Sequence, residues 1–94
     1  MERDLAECLE VMAEVAGGLG EKRRASRLWG AAGALRQATG NPWVRFERRL
    51  HEPYLSAARS RMEESEWSEA WQEGWAMTLD GAVSYAVDEE EASG

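Results

Sequence analysis

Cysteine, histidine and proline are scarce in this sequence, whose 94 residues include one cysteine, one histidine and two prolines. A single cysteine excludes an internal disulfide framework and a cysteine-based zinc site. A single histidine leaves no histidine cluster for a metal. A nucleotide-binding P-loop is missing too, because Gly20 is followed by Glu21-Lys22-Arg23 and not by Lys-Ser/Thr. We therefore expect no cofactor.

Long apolar runs are also missing. The longest, residues 29–35, is far shorter than the ~20 residues that span a bilayer. The first residues are acidic, unlike the basic start of a signal peptide. We therefore expect a cytoplasmic protein with no membrane partner.

Charge is unevenly distributed along the chain, whose net charge is −7. Residues 1–21 carry −5, residues 22–61 carry +8, and residues 62–94 carry −10 with no base among them. One interpretation is that basic helices pack beside acidic ones. The alternative is a nucleic-acid surface in the basic segment 22–61, formed by Arg23, Arg24, Arg27, Arg45, Arg48 and Arg49.

Apolar residues recur at intervals of three and four in five successive segments, which is the spacing of one helix face. No segment alternates as a half-buried strand would. The sequence therefore predicts an all-α fold of about five helices in a single domain over residues 1–90. The predicted elements are a helix pair over 3–39, a kinked helix over 42–63, a C-terminal helix pair over 66–76 and 79–88, and a disordered acidic tail over 89–94.

Glycines follow the first and second predicted helices and also lie inside the second. Gly20 follows the first helix and Gly40 follows the second, where glycine readily takes the left-handed cap conformation. Gly30 and Gly33 lie inside the second helix. Glycine costs a helix interior up to about 1 kcal/mol relative to alanine, so we expect close packing against a neighbour there.

The third segment contains Pro53, which removes a backbone donor from a helix. The apolar stripe stays in phase across Pro53, which favours one kinked helix; two helices broken near His51 are the alternative. We place His51 on the helix surface. The stripe itself comprises Trp43, Phe46, Leu50, Tyr54 and Met62, with Ala57 or Ala58 between the last two.

Three tryptophans lie on one stripe of the fourth segment, at positions Trp67, Trp71 and Trp75. At helical spacing such residues are typical of a core, and a ligand cage is the alternative interpretation. Ser65 and Thr78 are suitable N-caps for the last two helices.

The first helix pair has the spacing of a tetratricopeptide repeat, a 34-residue unit of two helices. Its second helix has the expected small, large and small residues at Ala25, Trp29 and Ala32. The first helix fits in part, because Ala16 stands where an aromatic residue is usual, and Gln37 stands where proline usually closes the repeat. One repeat cannot bury both of its faces. We therefore expect an antiparallel hairpin that the later helices cap as a bundle.

Two runs resemble a known family: Leu28-Trp29-Gly30-Ala31-Ala32 and Ala70-Trp71-Gln72-Glu73-Gly74. They are similar to the C-terminal end of large bacterial signalling ATPases and of LuxR-type or SARP-type transcriptional regulators. In that family a nucleotide-binding domain is followed by a tetratricopeptide-like helical array. The resemblance implies a terminal helical module. The family's ATP chemistry is not carried over, because none of its residues are present.

These observations predict a non-catalytic helical module for protein interaction or regulation. Its partner would be another protein or the rest of a larger regulator, and pairing of two copies as a homodimer would cover an apolar flank. Nucleic acid is the less favoured partner. The reactive residue types are too few and too scattered for an enzyme. The candidate interface residues are Leu5, Met12, Trp43, Phe46 and Trp75.

Overall fold

Five helices follow one another in the computed structural model, which describes the backbone of residues 2–93 and the side chains of residues 5–87. They are α1 (Glu2–Gly18), α2 (Lys22–Thr39), α3 (Arg45–Ser60), α4 (Glu64–Trp75) and α5 (Leu79–Ser93). The described backbone contains no strand. The all-α prediction with five helices is confirmed. No helix in this described part is long and apolar enough to cross a membrane.

A short turn joins α1 to α2. Gly20 has a φ of +81°, and the Glu21 N–H donates to the Ala16 carbonyl at 2.9 Å. The positive φ is the left-handed conformation that glycine adopts at no steric cost. The chain reverses here, so that α1 and α2 pack along their lengths through a core containing Leu9 and Leu28. The tetratricopeptide-like detail of this pair stays a prediction.

Glycines bring α2 and α4 into close contact, as the sequence predicts for Gly30. A Cβ on Gly30 would lie 3.1 Å from the Trp71 carbonyl carbon, and one on Gly74 would lie 2.6 Å from the Arg27 carbonyl carbon. Ser26 is completely buried, and its hydroxyl donates to the Trp67 carbonyl at 2.9 Å. The missing side chains therefore let the two backbones approach. Residues later in α2 contact residues later in α4, so the two helices run parallel to each other.

The other two helices lie on opposite faces of the layer formed by α1, α2 and α4. On one face, Arg36 of α2 bonds to Glu47 of α3. On the other face, Arg24 of α2 donates to the Ala86 carbonyl of α5 at 2.9 Å. Arg24 and Arg36 are twelve residues apart, which at about 100° per residue directs their side chains to different sides of α2.

The local structure of α3 and of the start of α5 agrees with the sequence predictions, whereas the start of α4 does not. α3 is a single helix that continues through Pro53, as the in-phase stripe favours. The Thr78 hydroxyl accepts the Gly81 N–H at 3.0 Å, which confirms the cap of α5. The cap predicted at Ser65 is wrong, because Glu63 occupies the N-cap position and α4 begins at Glu64, two residues earlier than predicted. An extended backbone at Glu63 starts the helix without a side-chain cap.

The last helix includes the acidic end of the chain. The backbone of α5 is helical through Ser93, and the disordered tail over 89–94 stays a prediction. Glutamate and alanine are good helix formers, which favours continuation of the helix through this segment. Gly94 lies outside the described residues.

Candidate functional site

An open cavity of about 510 Å³ lies beside α2, between the start of α3 and the end of α4. Trp29, Trp43, Trp71 and Trp75 line its walls together with Pro42 and Leu55. We call this cavity the tryptophan groove. Its volume is within the roughly 300–1,000 Å³ that is usual for ligand-binding clefts.

The tryptophans of α4 contribute to both the core and the groove. Trp67 is buried, as the core interpretation predicts. Trp71 is half-buried, and Trp75 is 41% exposed. The rings of Trp71 and Trp75 are stacked with centroids 6.4 Å apart. The one stripe therefore supplies a core residue at its start and a groove wall at its end.

A buried ion pair supports the opposite wall of the groove. Glu10 of α1 is 1% exposed, and its two carboxylate oxygens accept from Arg36 Nε at 2.6 Å and Nη2 at 3.0 Å. Arg36 Nη2 also donates to Glu47 of α3 at 3.2 Å. The Trp43 indole N–H donates to Glu10 at 2.7 Å. The pair thus links α1, α2 and α3 and fixes Trp43 at the groove.

The electrostatics of this cluster keep Arg36 charged. Burial lowers the pKa of Arg36, but its hydrogen bonds and charge interactions with Glu10 and Glu47 outweigh that effect and raise the pKa above its ordinary value. A bidentate guanidinium–carboxylate pair is among the strongest hydrogen-bonded contacts in proteins. This pair joins α1 to α2, and the further bond from Arg36 to Glu47 positions α3 against them.

His51 belongs to the same cluster, and its placement on the helix surface is wrong. It is buried, with Nδ1 2.6 Å from a Glu14 carboxylate oxygen and its ring stacked on Trp43 at 5.5 Å. The physical reason is that Glu10 and Glu14 of α1 turn towards α3 and draw its polar face inward. We call Glu10, Glu14, Arg36, Glu47 and His51 the buried polar cluster.

The apolar stripe of α3 faces solvent as a consequence. Phe46 is 72% exposed, and Leu50 and Tyr54 are exposed as well. The inward face carries Glu47, His51 and Ala58 instead. The periodicity identifies the apolar face of this helix correctly but does not show that the rest of the chain leaves that face uncovered.

The candidate interface residues separate into three places. Trp43 and Trp75 both line the tryptophan groove. Phe46 lies on the outer face of α3. Leu5 and Met12 are half-buried on α1, and Met12 packs against the core. The structure therefore brings together only the two tryptophans.

The arginines of the candidate nucleic-acid surface also separate. Near the start of α2, Arg23 pairs with Glu69 at 3.0 Å and Arg27 pairs with Glu73 at 2.7 Å. Arg24, between them, is buried. Hydrogen bonds to Tyr85 and Glu73 raise the pKa of Arg27. These contacts place basic α2 beside acidic α4.

The other three arginines lie at the start of α3, which follows the far end of α2. Arg45 and Arg49 are exposed, and Arg48 pairs with Glu52 at 3.5 Å. Arg23 and Arg36 are thirteen residues apart on α2, which is about 20 Å along a helix. Since α3 begins near Arg36, the six arginines do not form one patch.

The buried polar cluster is the feature that sequence reasoning missed. Its members come from three helices, and Arg36 is 26 residues from Glu10 and 11 from Glu47. The sequence spacing places Glu10 and Glu14 on the side of α1 away from its apolar stripe, so their inward position gave no local signal. Among side chains 5–87, no group of three or more acidic, histidine or cysteine side chains could hold a metal ion.

Comparison with known proteins relates the chain to transcriptional regulators. It is 33% identical over 82 residues to proteins of Mycobacterium bovis and of two strains of Mycobacterium tuberculosis, each named as an HTH-type transcriptional regulator. The match covers 87% of this chain but only 9% of each regulator. No family model and no solved structure matches the chain. The chain is therefore an all-helical relative of one short segment of these mycobacterial regulators.

Proposed function

We propose that this chain is a non-catalytic regulatory module that binds a protein partner in the tryptophan groove. The module would be the tetratricopeptide-like end of a larger bacterial ATP-dependent transcriptional regulator, working in the cytoplasm. The similarity to mycobacterial regulators supports the regulatory role, and the resemblance of the two Trp-containing runs supports the finer assignment.

The observation that carries this proposal is the groove itself. Four tryptophans meet at one open cavity, and Trp75 remains 41% exposed at its edge. Tryptophan is enriched among the residues that dominate binding energy at protein interfaces. The cavity is large enough for one or two bulky apolar side chains of a partner. The polar groups that hold Trp43 are paired with one another, so the wall is rigid before a partner binds.

The matched experiment compares two serine variants as bait in an extract of the native host. Trp75→Ser removes the exposed wall of the groove. Leu19→Ser removes an even more exposed apolar residue from the turn after α1, away from the groove. Circular dichroism first establishes that both variants keep the helical content of the parent chain.

We expect quantitative mass spectrometry to find a protein that the parent chain and Leu19→Ser retain and that Trp75→Ser loses. Truncation of an anchor residue costs about 2 kcal/mol or more, which corresponds to roughly thirtyfold weaker binding. The proposal is wrong if no protein shows this pattern, or if both variants lose the same proteins equally.

Nucleic-acid binding is the alternative function, and it depends on Arg45, Arg48 and Arg49 once the α2 arginines are paired. Such binding would weaken steeply with salt. Retention of DNA or RNA by the chain at ~50 mM salt, abolished by exchanging Arg45 and Arg49 for glutamine, would support it. Lack of retention at that salt concentration would exclude it.

A further inference from the structure

Three apolar stripes of the same length are exposed. One runs along α1 and the turn after it, through Val11, Val15 and Leu19. The other two, on α3 and α5, lie on opposite faces of the protein. On α3 the stripe comprises Phe46, Leu50 and Tyr54, and on α5 it comprises Leu79, Val83 and Val87. Each set has the spacing i, i+4, i+8, which covers about 12 Å of a helix. Exposed apolar residues scattered singly are normal, whereas aligned ones indicate an interaction surface.

The charges beside the α3 and α5 stripes are of opposite sign. Arg45 and Arg49, one residue before Phe46 and Leu50, are exposed on α3. Asp80 is exposed next to Leu79 on α5, and four acids follow Val87 in the sequence, at positions 88–91. The α5 stripe therefore has the charge that the α3 stripe would attract.

We propose that the chain self-associates head to tail, with the α3 stripe of one copy packed on the α5 stripe of the next. The occupant of each stripe is thus a second copy of this chain. Because α3 and α5 lie on opposite faces, one contact uses one face of each copy and leaves the other face free. Such a heterologous contact adds further copies instead of closing a twofold dimer.

The charges also select the direction of packing. In an antiparallel arrangement, the acidic end of α5 lies beside Arg45 and Arg49 at the start of α3. Negative charge near a helix N-terminus is favourable as well, because that end of the helix carries partial positive charge. A parallel arrangement would place the acidic end of α5 beside the C-terminus of α3. There Arg59 and Arg61 already bond to Glu64 and to the Gly17 carbonyl, and the helix dipole opposes negative charge.

The decisive experiment mixes two half-blocked variants. Leu50→Glu and Val83→Glu each put a charge in the middle of an apolar stripe. In the antiparallel arrangement the two acids lie opposite each other, so the two blocked faces repel and cannot pair. Both positions are exposed, so each folded chain tolerates the change. Val11→Glu, on the exposed face of α1, is the matched control.

Sedimentation equilibrium is the measurement, and the expected average masses differ between the variants. The parent chain and Val11→Glu have an average mass that rises with concentration beyond two chains. Each half-blocked variant alone has its association weakened at least about tenfold. It therefore remains a monomer at concentrations where the parent chain begins to associate. An equimolar mixture of Leu50→Glu and Val83→Glu forms a complex of two chains and no larger species, because the mixture retains one intact pair of faces.

Three results would overturn the proposal. The parent chain could remain monomeric up to about 1 mM, a concentration at which even weak association of about 4 kcal/mol is half complete. The mixture could remain monomeric although the parent associates, which would show that an intact α3 stripe does not bind an intact α5 stripe. Val11→Glu could abolish association, which would place the contact on α1.

Discussion

The close contact between α2 and α4 predicts that alanine at Gly74 destabilises the protein. A Cβ there would lie 2.6 Å from the carbonyl carbon and 2.8 Å from the Cα of Arg27. Carbon atoms pack at about 3.5–4.0 Å. The neighbouring atoms belong to a helix backbone and cannot rotate away, so the two helices must separate by roughly 1 Å.

The magnitude follows from three opposing contributions. Alanine favours the helix by about 1 kcal/mol relative to glycine. Overpacking costs about 1–3 kcal/mol. Separation of the helices also stretches the 2.9 Å bond from the Ser26 hydroxyl to the Trp67 carbonyl, and a buried unpaired polar group costs about 1–3 kcal/mol. These contributions sum to a net loss of about 1–5 kcal/mol, with about 3 kcal/mol at the middle of the range.

The assay is urea unfolding followed by circular dichroism. With a denaturant slope near 1–1.5 kcal/mol/M for a chain of this size, the Gly74→Ala midpoint should fall by about 2 M. Gly18→Ala is the matched control, because a Cβ at Gly18 meets no atom within 4 Å and its backbone φ is not positive. It should leave the midpoint unchanged or slightly higher. A Gly74→Ala protein as stable as the parent would refute the close-contact argument.

Three further predictions concern the buried polar cluster, an exposed ion pair and the α3 stripe. Glu10→Gln leaves Arg36 with Glu47 as its remaining buried carboxylate partner and should cost about 1.5–3 kcal/mol in urea unfolding, the range for a hydrogen bond to a charged group. Arg59 lowers the pKa of the Glu64 carboxyl below its ordinary 4.5; the resulting stabilisation is complete above that ordinary pKa and is lost as pH falls through the folded value. An NMR titration should show this low pKa, and Arg59→Gln should restore the ordinary one. Leu50→Ser, on an exposed face, should change the monomer's free energy of unfolding by no more than about 0.5 kcal/mol, and a loss above 2 kcal/mol would show that the stripe is buried.

Local signals explain why the helices could be predicted. The positive φ at Gly20 and Gly40 follows from the chemistry of glycine at a helix end, which the sequence displays directly. The close packing at Gly30 could be predicted because a helix that contains glycine needs compensation. Its partner Gly74 was not identifiable, since the sequence does not show which helices will be neighbours.

The candidate site could not be predicted from local sequence patterns, because it depends on contacts between helices. The sequence spacing places Glu10 on the polar side of α1, whereas its burial and its pairing with Arg36 and Trp43 depend on how three helices meet. Trp71 and Trp75 have the spacing of core residues, and only the position of α3 leaves a groove beside them. A periodic pattern identifies one face of a helix, and the neighbours decide whether that face is covered.

The orientation of α3 connects the two proposed surfaces. Rotation of α3 by about one residue, or 100°, would turn Phe46, Leu50 and Tyr54 towards the core and expose Glu47 and His51. Apolar residues in place of a buried ion pair are often as stable or more so, so the monomer alone does not require the observed orientation. The buried polar cluster fixes it, and one rotation of α3 then holds Trp43 at the groove and the apolar stripe outward. Glu10→Gln should therefore weaken both partner retention and self-association under conditions where the variant stays folded, whereas Trp75→Ser should affect partner retention alone.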